Sequence, residues 1–228
     1  MSQIKYISVF SFLLFLVPII TLFVCFQIIA YYYPDFYTIP LIDGKASVSQ
    51  IGRGEKTIRI FKLGFLLYIF ISIFFYFKIS NFFILNGIKN KFKICAVLAN
   101  FFLCIYIIVL GQRDLSFYEI LRRLMIIFYI VNIYINHVYL IIILRLLHFK
   151  KMMRFNIVYL PIFYLIITLM TILIIIGLPW VNPLFKYPDQ LKNIVEWNYF
   201  LLTIVFYIPL SLMFYQFRDK VRKWKNYP

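Results

Sequence analysis

Six long apolar runs divide this sequence and leave little polar chain between them. They span about residues 6–32, 61–80, 94–110, 120–147, 157–178 and 197–217. Roughly 20 apolar residues in a helix cross a hydrocarbon core about 30 Å thick, and a helix pairs its backbone polar groups internally there. The sequence therefore predicts an all-α polytopic integral membrane protein, a single six-helix transmembrane bundle over residues 1–228 with a long outer first loop.

Composition agrees with a membrane protein and argues against other classes. Hydrophobic residues make up 64% of the 228 residues, and the mean hydropathy is +0.90, more than a soluble domain can bury. The net charge of +16 flanks the apolar runs, which indicates lipid headgroups and topology rather than nucleic acid. With three cysteines inside apolar runs and two histidines, we expect no disulfide framework, metal site or cofactor.

Six spans place both chain termini on one side of the membrane. That side carries fourteen of the 24 Lys and Arg residues, and the other side carries ten. Cytoplasmic loops are enriched in Lys and Arg, so we expect both termini to be cytoplasmic. Nearly every carboxylate falls on the opposite side, together with the longest connector.

That connector runs from about Tyr33 to Ile60 and contains the polar stretch Ile42–Phe61, IDGKASVSQIGRGEKTIRIF. Long loops of mixed charge are often functional. A solvated loop that only joins two helices would explain the stretch equally well. Its candidate site residues are Asp43, Ser47, Ser49, Arg53, Glu55 and Arg59.

Arg122 and Arg123 lie at the start of the fourth span, where two general tendencies disfavour cations. Cations at a helix N-terminus oppose the helix dipole, and cations on the outer side oppose the positive-inside bias. One interpretation is a structural ion pair with Glu119. The other is that one arginine turns inward toward an anionic group, which would be Asp43, Glu55, Asp114, Glu196 or a lipid phosphate.

Glu196 and Trp197 open the sixth span. An acid suits the positive end of the helix dipole and Trp suits the membrane interface, so a structural role explains both. A functional role for Glu196 requires that it face the bundle.

The fourth span also carries a polar stripe at helical spacing. Its residues are Tyr129, Asn132, Asn136 and Tyr139, with His137 to one side. Buried amides usually join helices in membranes, and the alternative is a polar cavity wall extending from Arg122. Asn100 and Gln27 are the expected partners.

These motifs resemble the Frag/DRAM/Sfk family of six-span membrane proteins. The resemblance covers essentially the whole chain and rests on IDGKASVSQIGRG…IF, VEWNYFLL and FYQFRDK. The combination of DG…SVSQ.GRG in the first loop with LGQRDLSFYEILRRL before the fourth span is most similar to bacterial members. The matching residues are Ser47, Ser49, Gly52, Arg53, Phe61, Glu196 and Trp197, with Asp43, Gly44, Gly111, Arg122 and Arg123 shared with bacterial members.

The resemblance implies a six-helix bundle connected with membrane lipids, in a bacterial inner membrane, and supplies no agreed catalytic mechanism. We therefore expect the protein to bind or handle an anionic lipid headgroup at the outer leaflet through Arg53, Arg59, Arg122 and Arg123. In this hypothesis Asp43 and Glu196 orient the arginines and the Ile42–Phe61 loop covers the site. The alternative is a non-catalytic accessory or scaffold subunit bound to a membrane protein partner. An enzyme with Glu196 or Asp43 as general acid or base is the third hypothesis.

Overall fold

The computed structural model describes residues 2–33, 39–112, 116–149, 158–177 and 189–225, and in these ranges the regular structure is helical. The described helices are α1 (Ser2–Tyr32), α2 (Pro40–Asp43), α3 (Val48–Arg53), α4 (Ile58–Leu85), α5 (Phe92–Val109), α6 (Ser116–Phe149), α7 (Tyr159–Gly177), α8 (Asp189–Val205) and α9 (Tyr207–Lys225). Within these described ranges, six segments are long and apolar enough to cross a membrane, with α8 and α9 counted together. The predicted all-α, six-span fold is therefore confirmed.

The helices extend beyond the predicted spans at several ends. The second span, predicted over 61–80, is Ile58–Leu85, and the fourth, predicted over 120–147, is Ser116–Phe149. The apolar pattern marks the length inside hydrocarbon, whereas helical hydrogen bonds continue into the polar flanks. Asp114 and the basic residues Lys150, Lys151 and Arg154 lie outside the described residues, as does the segment 179–188.

The bundle is held by packing between helices that are distant in sequence. α1 packs against α4 and α9, α5 packs against α4 and α6, and α7 packs against α8. Ser8 of α1 and Ser211 of α9 connect the two helices by a reciprocal pair of hydrogen bonds. The Ser8 hydroxyl donates to the Ser211 carbonyl at 3.0 Å, and the Ser211 hydroxyl donates to the Ser8 carbonyl at 2.8 Å. Lipid tails are as apolar as the helix surfaces, so the hydrophobic effect does not drive the helices together and such hydrogen bonds contribute to their association.

Aromatic side chains fill much of the core. The largest fully buried ones are Tyr68, Tyr76, Tyr207, Phe61, Phe75, Phe83, Phe92, Phe163, Phe206 and Phe214. Other large apolar side chains, such as Leu63, Phe70 and Leu165, are exposed on the helix surfaces. In water such a surface would promote association, but acyl chains solvate it readily.

The sixth span is interrupted in its middle. α8 ends at Val205, Phe206 lies in a turn, and α9 begins at Tyr207. Pro209 explains the break, because it has no N–H for the Val205 carbonyl and its ring crowds the preceding turn. The predicted sixth span, about 197–217, is confirmed as a single span over Asp189–Arg218, with this break inside it.

Candidate functional site

The first connector begins with a short, well-defined turn. The Asp43 carboxylate accepts the backbone N–H of Ile39 at 2.9 Å and that of Lys45 at 3.1 Å. Gly44 follows at φ +62°, the left-handed conformation that favours glycine. In these two bonds Asp43 shapes its own loop, which differs from the predicted role of orienting arginines.

Helix α3 is started by a capping box. The Ser47 hydroxyl accepts the Gln50 N–H at 3.0 Å, and the Gln50 side chain accepts the Ser47 N–H at 2.6 Å. This reciprocal pair satisfies two backbone donors at the start of the helix. Ser47 therefore has a structural role, and its hydroxyl also lies 2.9 Å from the Ser49 hydroxyl.

The connector is docked on α8 by three side-chain donors. Asn193 Nδ2 donates to the Gly44 carbonyl at 2.8 Å, Trp197 Nε1 donates to the Ala46 carbonyl at 2.8 Å, and Asn198 Nδ2 donates to the Leu41 carbonyl at 3.1 Å. Residues four apart lie on one face of a helix, so Asn193 and Trp197 present their donors together. The polar stretch is thus a structured cover fixed to the sixth span.

Four side chains from four helices meet beneath this cover. We call Arg53 of α3, Tyr106 of α5, Arg122 of α6 and Glu196 of α8 the arginine cluster. Every pair among the four interacts electrostatically. Glu196 accepts the Ser49 N–H at 3.3 Å, and Arg53 Nε donates to the Ser49 carbonyl at 3.2 Å. The structure thus brings together three predicted site residues, Arg53, Arg122 and Glu196, and Glu196 does face the bundle.

The two guanidinium groups of the arginine cluster repel each other, and the Glu196 carboxylate attracts both without a direct ion pair. Among the described residues, neither Arg53 nor Arg122 forms an ion pair within 4.0 Å, and Arg122 has no hydrogen bond from its side chain. Burial lowers the pKa of the Arg53 guanidinium, and repulsion from the Arg122 cation lowers it further. Two like charges held together without a direct counterion are unfavourable until an anion lies between them.

The remaining predicted residues lie at the edge of this region. Glu55 and Arg59 are exposed. Arg123 pairs with Glu119, and the side chains of the two are 72% and 53% exposed. An exposed pair at i, i+4 contributes only about 0.3–0.5 kcal/mol. The two interpretations of the paired arginines therefore each apply to one residue, since Arg123 makes the surface pair and Arg122 turns inward.

A row of aromatic rings adjoins the arginine cluster. It runs from Trp197 to Phe200, Phe65 and Phe61, with ring centroids separated in turn by 6.5, 6.0 and 4.4 Å. The Phe61 ring lies against Gly52, where an added Cβ would come within 2.7 Å of it. The row therefore joins two chain neighbours of the cluster, Gly52 before Arg53 and Trp197 after Glu196.

Tyr106 is the cluster member that the sequence analysis missed. It is 6% exposed and interacts with the Ser49 side chain as well as with the three charged groups. Its signal in the sequence is weak, because one tyrosine among nineteen in an apolar span resembles ordinary interface or core aromatics.

The polar stripe of α6 does not extend the arginine cluster as one continuous wall. The Tyr129 hydroxyl lies 3.3 Å from the Tyr68 hydroxyl, and Asn132 donates to the Phe128 carbonyl of its own helix. The expected partners are wrong. Asn100 donates instead to the Ser72 hydroxyl at 3.0 Å, and Gln27 is exposed.

Comparison of the chain with protein-family models, with curated proteins and with solved structures gives no match. The resemblance to the Frag/DRAM/Sfk family stays a prediction from the residues.

Proposed function

We propose that this integral membrane protein, of the Frag/DRAM/Sfk type, binds a lipid with an anionic headgroup at the outer leaflet through the arginine cluster. The observation that carries the proposal is the pair of partly buried guanidinium groups, Arg53 and Arg122, which repel each other and lack an ion-pair partner within the described chain. A phosphate accepts two hydrogen bonds from each guanidinium and removes the repulsion.

The formal charge of the arginine cluster favours a headgroup with one negative charge. Two arginines and one carboxylate sum to +1 when Glu196 is ionised. A phosphodiester carries one negative charge, so its binding neutralises the cluster. The Tyr106 and Ser49 hydroxyls add neutral donors beside the phosphate position.

The position of the cluster favours a lipid over a soluble anion. Arg122 lies six residues after the first residue of α6, and Glu196 lies seven residues after the first residue of α8. At 1.5 Å per residue both are about 10 Å along their helices, close to the depth of headgroups. The aromatic row from Trp197 to Phe61 would border the upper acyl chain.

Native mass spectrometry of the protein released gently from its own membrane tests this proposal. The wild type is expected to retain an anionic phospholipid, identified by mass, and Arg53→Gln Arg122→Gln is expected to lose it. Arg123→Gln is the matched control, since it removes an exposed cation one residue from Arg122 and should retain the lipid.

Other outcomes would overturn the proposal. Bound inorganic phosphate without lipid would make the cluster a site for a soluble anion. Equal lipid retention by Arg53→Gln Arg122→Gln would exclude the cluster as the site. A protein partner without a specific lipid would favour the scaffold hypothesis and leave these arginines a structural role.

A further inference from the structure

Two polar side chains lie fully buried in the bundle, well away from the arginine cluster. Asn136 and His137 of α6 are both 0% exposed. Asn136 lies twenty residues after the first residue of α6, which is about 30 Å along the helix axis. It is fourteen residues beyond Arg122, or about 21 Å, which places the pair deep within the hydrocarbon.

None of the polar side-chain atoms of this pair has a hydrogen-bond partner in the part of the chain that the structure describes. These atoms are Oδ1 and Nδ2 of Asn136 and the two ring nitrogens of His137. Together they offer both donors and acceptors. A buried polar group without a partner destabilises the fold, and lipid offers no replacement for the missing bonds.

The break in the sixth span lies directly beside His137. The imidazole stacks on the Phe206 ring with centroids 4.0 Å apart and meets the Tyr207 ring edge-on at 5.3 Å. The Tyr199 hydroxyl donates to the Ile130 carbonyl, which is 69 residues away in the chain. His137 and Phe206 are also 69 residues apart, so α6 and the sixth span run parallel here. Non-helical backbone at this depth is tolerated only where it is enclosed by protein or lines a hydrated cavity.

The break also adds polar groups to this region. The Val205 carbonyl loses its helical donor because Pro209 has no N–H. The Tyr207 hydroxyl lies 3.2 Å from the Tyr76 hydroxyl. Buried water in proteins makes about three hydrogen bonds to polar groups that would otherwise be unsatisfied.

We propose that Asn136, His137 and the broken backbone at Phe206 form a binding site for water inside the membrane, the interior site. The two side chains point about 100° apart around α6, so in this proposal bound water bridges the amide and the imidazole and satisfies both. This inference is independent of lipid binding at the arginine cluster.

Water-edited solid-state NMR of the ¹⁵N-histidine-labelled protein in lipid bilayers tests the interior site. The chain has only two histidines, and a His148→Gln variant assigns the signals. Magnetisation is expected to pass from water to the His137 ring nitrogens of the wild type. Asn136→Leu keeps a similar volume without the polar atoms, and the transfer to His137 is expected to be lost in it.

Two results would overturn the proposal. Absence of transfer to His137 in the wild type would mean that the pair is dry. Unchanged transfer in Asn136→Leu would mean that Asn136 does not help to hold the water. Transfer to His148 in the same samples reports whether each preparation is hydrated, and the wild-type result does not depend on the folding of any variant.

Discussion

Arg53 and Arg122 lower the stability of the folded protein, and we expect them to bind an anion in return. Their guanidinium groups repel in the folded protein, and burial adds to the cost of charging Arg53. Residues held at such a cost are typical of binding sites, where a ligand provides the compensation. The neighbouring Arg123, with its own exposed partner, carries no such cost.

Replacing Glu196 by Gln should strengthen the binding of an anionic headgroup. The Gln carbonyl oxygen can still accept the Ser49 N–H, so the cover stays docked, while a negative charge beside the arginines is removed. We expect affinity to rise about fivefold, equivalent to about 1 kcal/mol of removed repulsion. Lipid titration followed by native mass spectrometry measures it. A fall in affinity would instead support the predicted role of Glu196 in orienting the arginines.

Docking of the cover on α8 requires a backbone that only glycine adopts easily. Gly44 has φ +62°, and an added Cβ would lie 2.1 Å from the Gln190 carbonyl oxygen. Gly44→Ala should therefore separate the cover from α8 and cost about 1–3 kcal/mol. Thermal unfolding in detergent measures the loss. Lys45→Ala, at the exposed next position, should change stability by less than about 0.5 kcal/mol, and equal losses would contradict the docking argument.

At the scale of elements, α1 and α4 approach closely at a glycine. A Cβ on Gly64 of α4 would lie 2.1 Å from Thr21 Oγ1 of α1, and that hydroxyl donates to the Val17 carbonyl. Small residues allow membrane helices to pack at such distances. The contact forms because Gly64 has no side chain where the Thr21 side chain lies.

Gly64→Ala is expected to destabilise the bundle by about 1–3 kcal/mol through overpacking. Adding Thr21→Ala should restore part of that loss, because it removes the Oγ1 and Cγ2 atoms nearest to the new methyl and leaves the Cβ of residue 21 at 2.8 Å. Unfolding of the two single variants and the double variant gives the coupling free energy. Additive losses would show that the two helices do not meet at these residues.

At the scale of the whole molecule, the described residues contain six segments that could cross a membrane, an even number, so both termini share one side if all six cross. The arginine cluster and its cover lie at the opposite end from the termini. The excess of Lys and Arg on the termini side predicts that this end is cytoplasmic.

Single-cysteine labelling tests that orientation. After Cys25, Cys95 and Cys104 are replaced, Glu55→Cys in the connector should react with a membrane-impermeant thiol reagent in intact cells. Lys91→Cys, exposed at the opposite end of the bundle, should react only after permeabilisation. The reverse pattern would place the arginine cluster in the cytoplasm and contradict lipid binding at the outer leaflet.

The sequence by itself determined the fold class and the number of spans. A hydrocarbon core requires about 20 apolar residues in a helix that satisfies its own backbone, and this requirement acts on each segment separately. Local signals also exist for the helix start at Ser47 and the break before Pro209, since both depend on residues only a few positions apart.

Only the tertiary structure decided which polar residues meet. Arg53, Tyr106, Arg122 and Glu196 are separated by 53, 16 and 74 residues along the chain, and no local pattern specifies their distances. Adjacent arginines also differ by about 100° around a helix, so packing alone selects Arg122 over Arg123. The docking of α3 on α8 creates the arginine cluster, because it brings Arg53 to the end of the bundle where the other three side chains already converge.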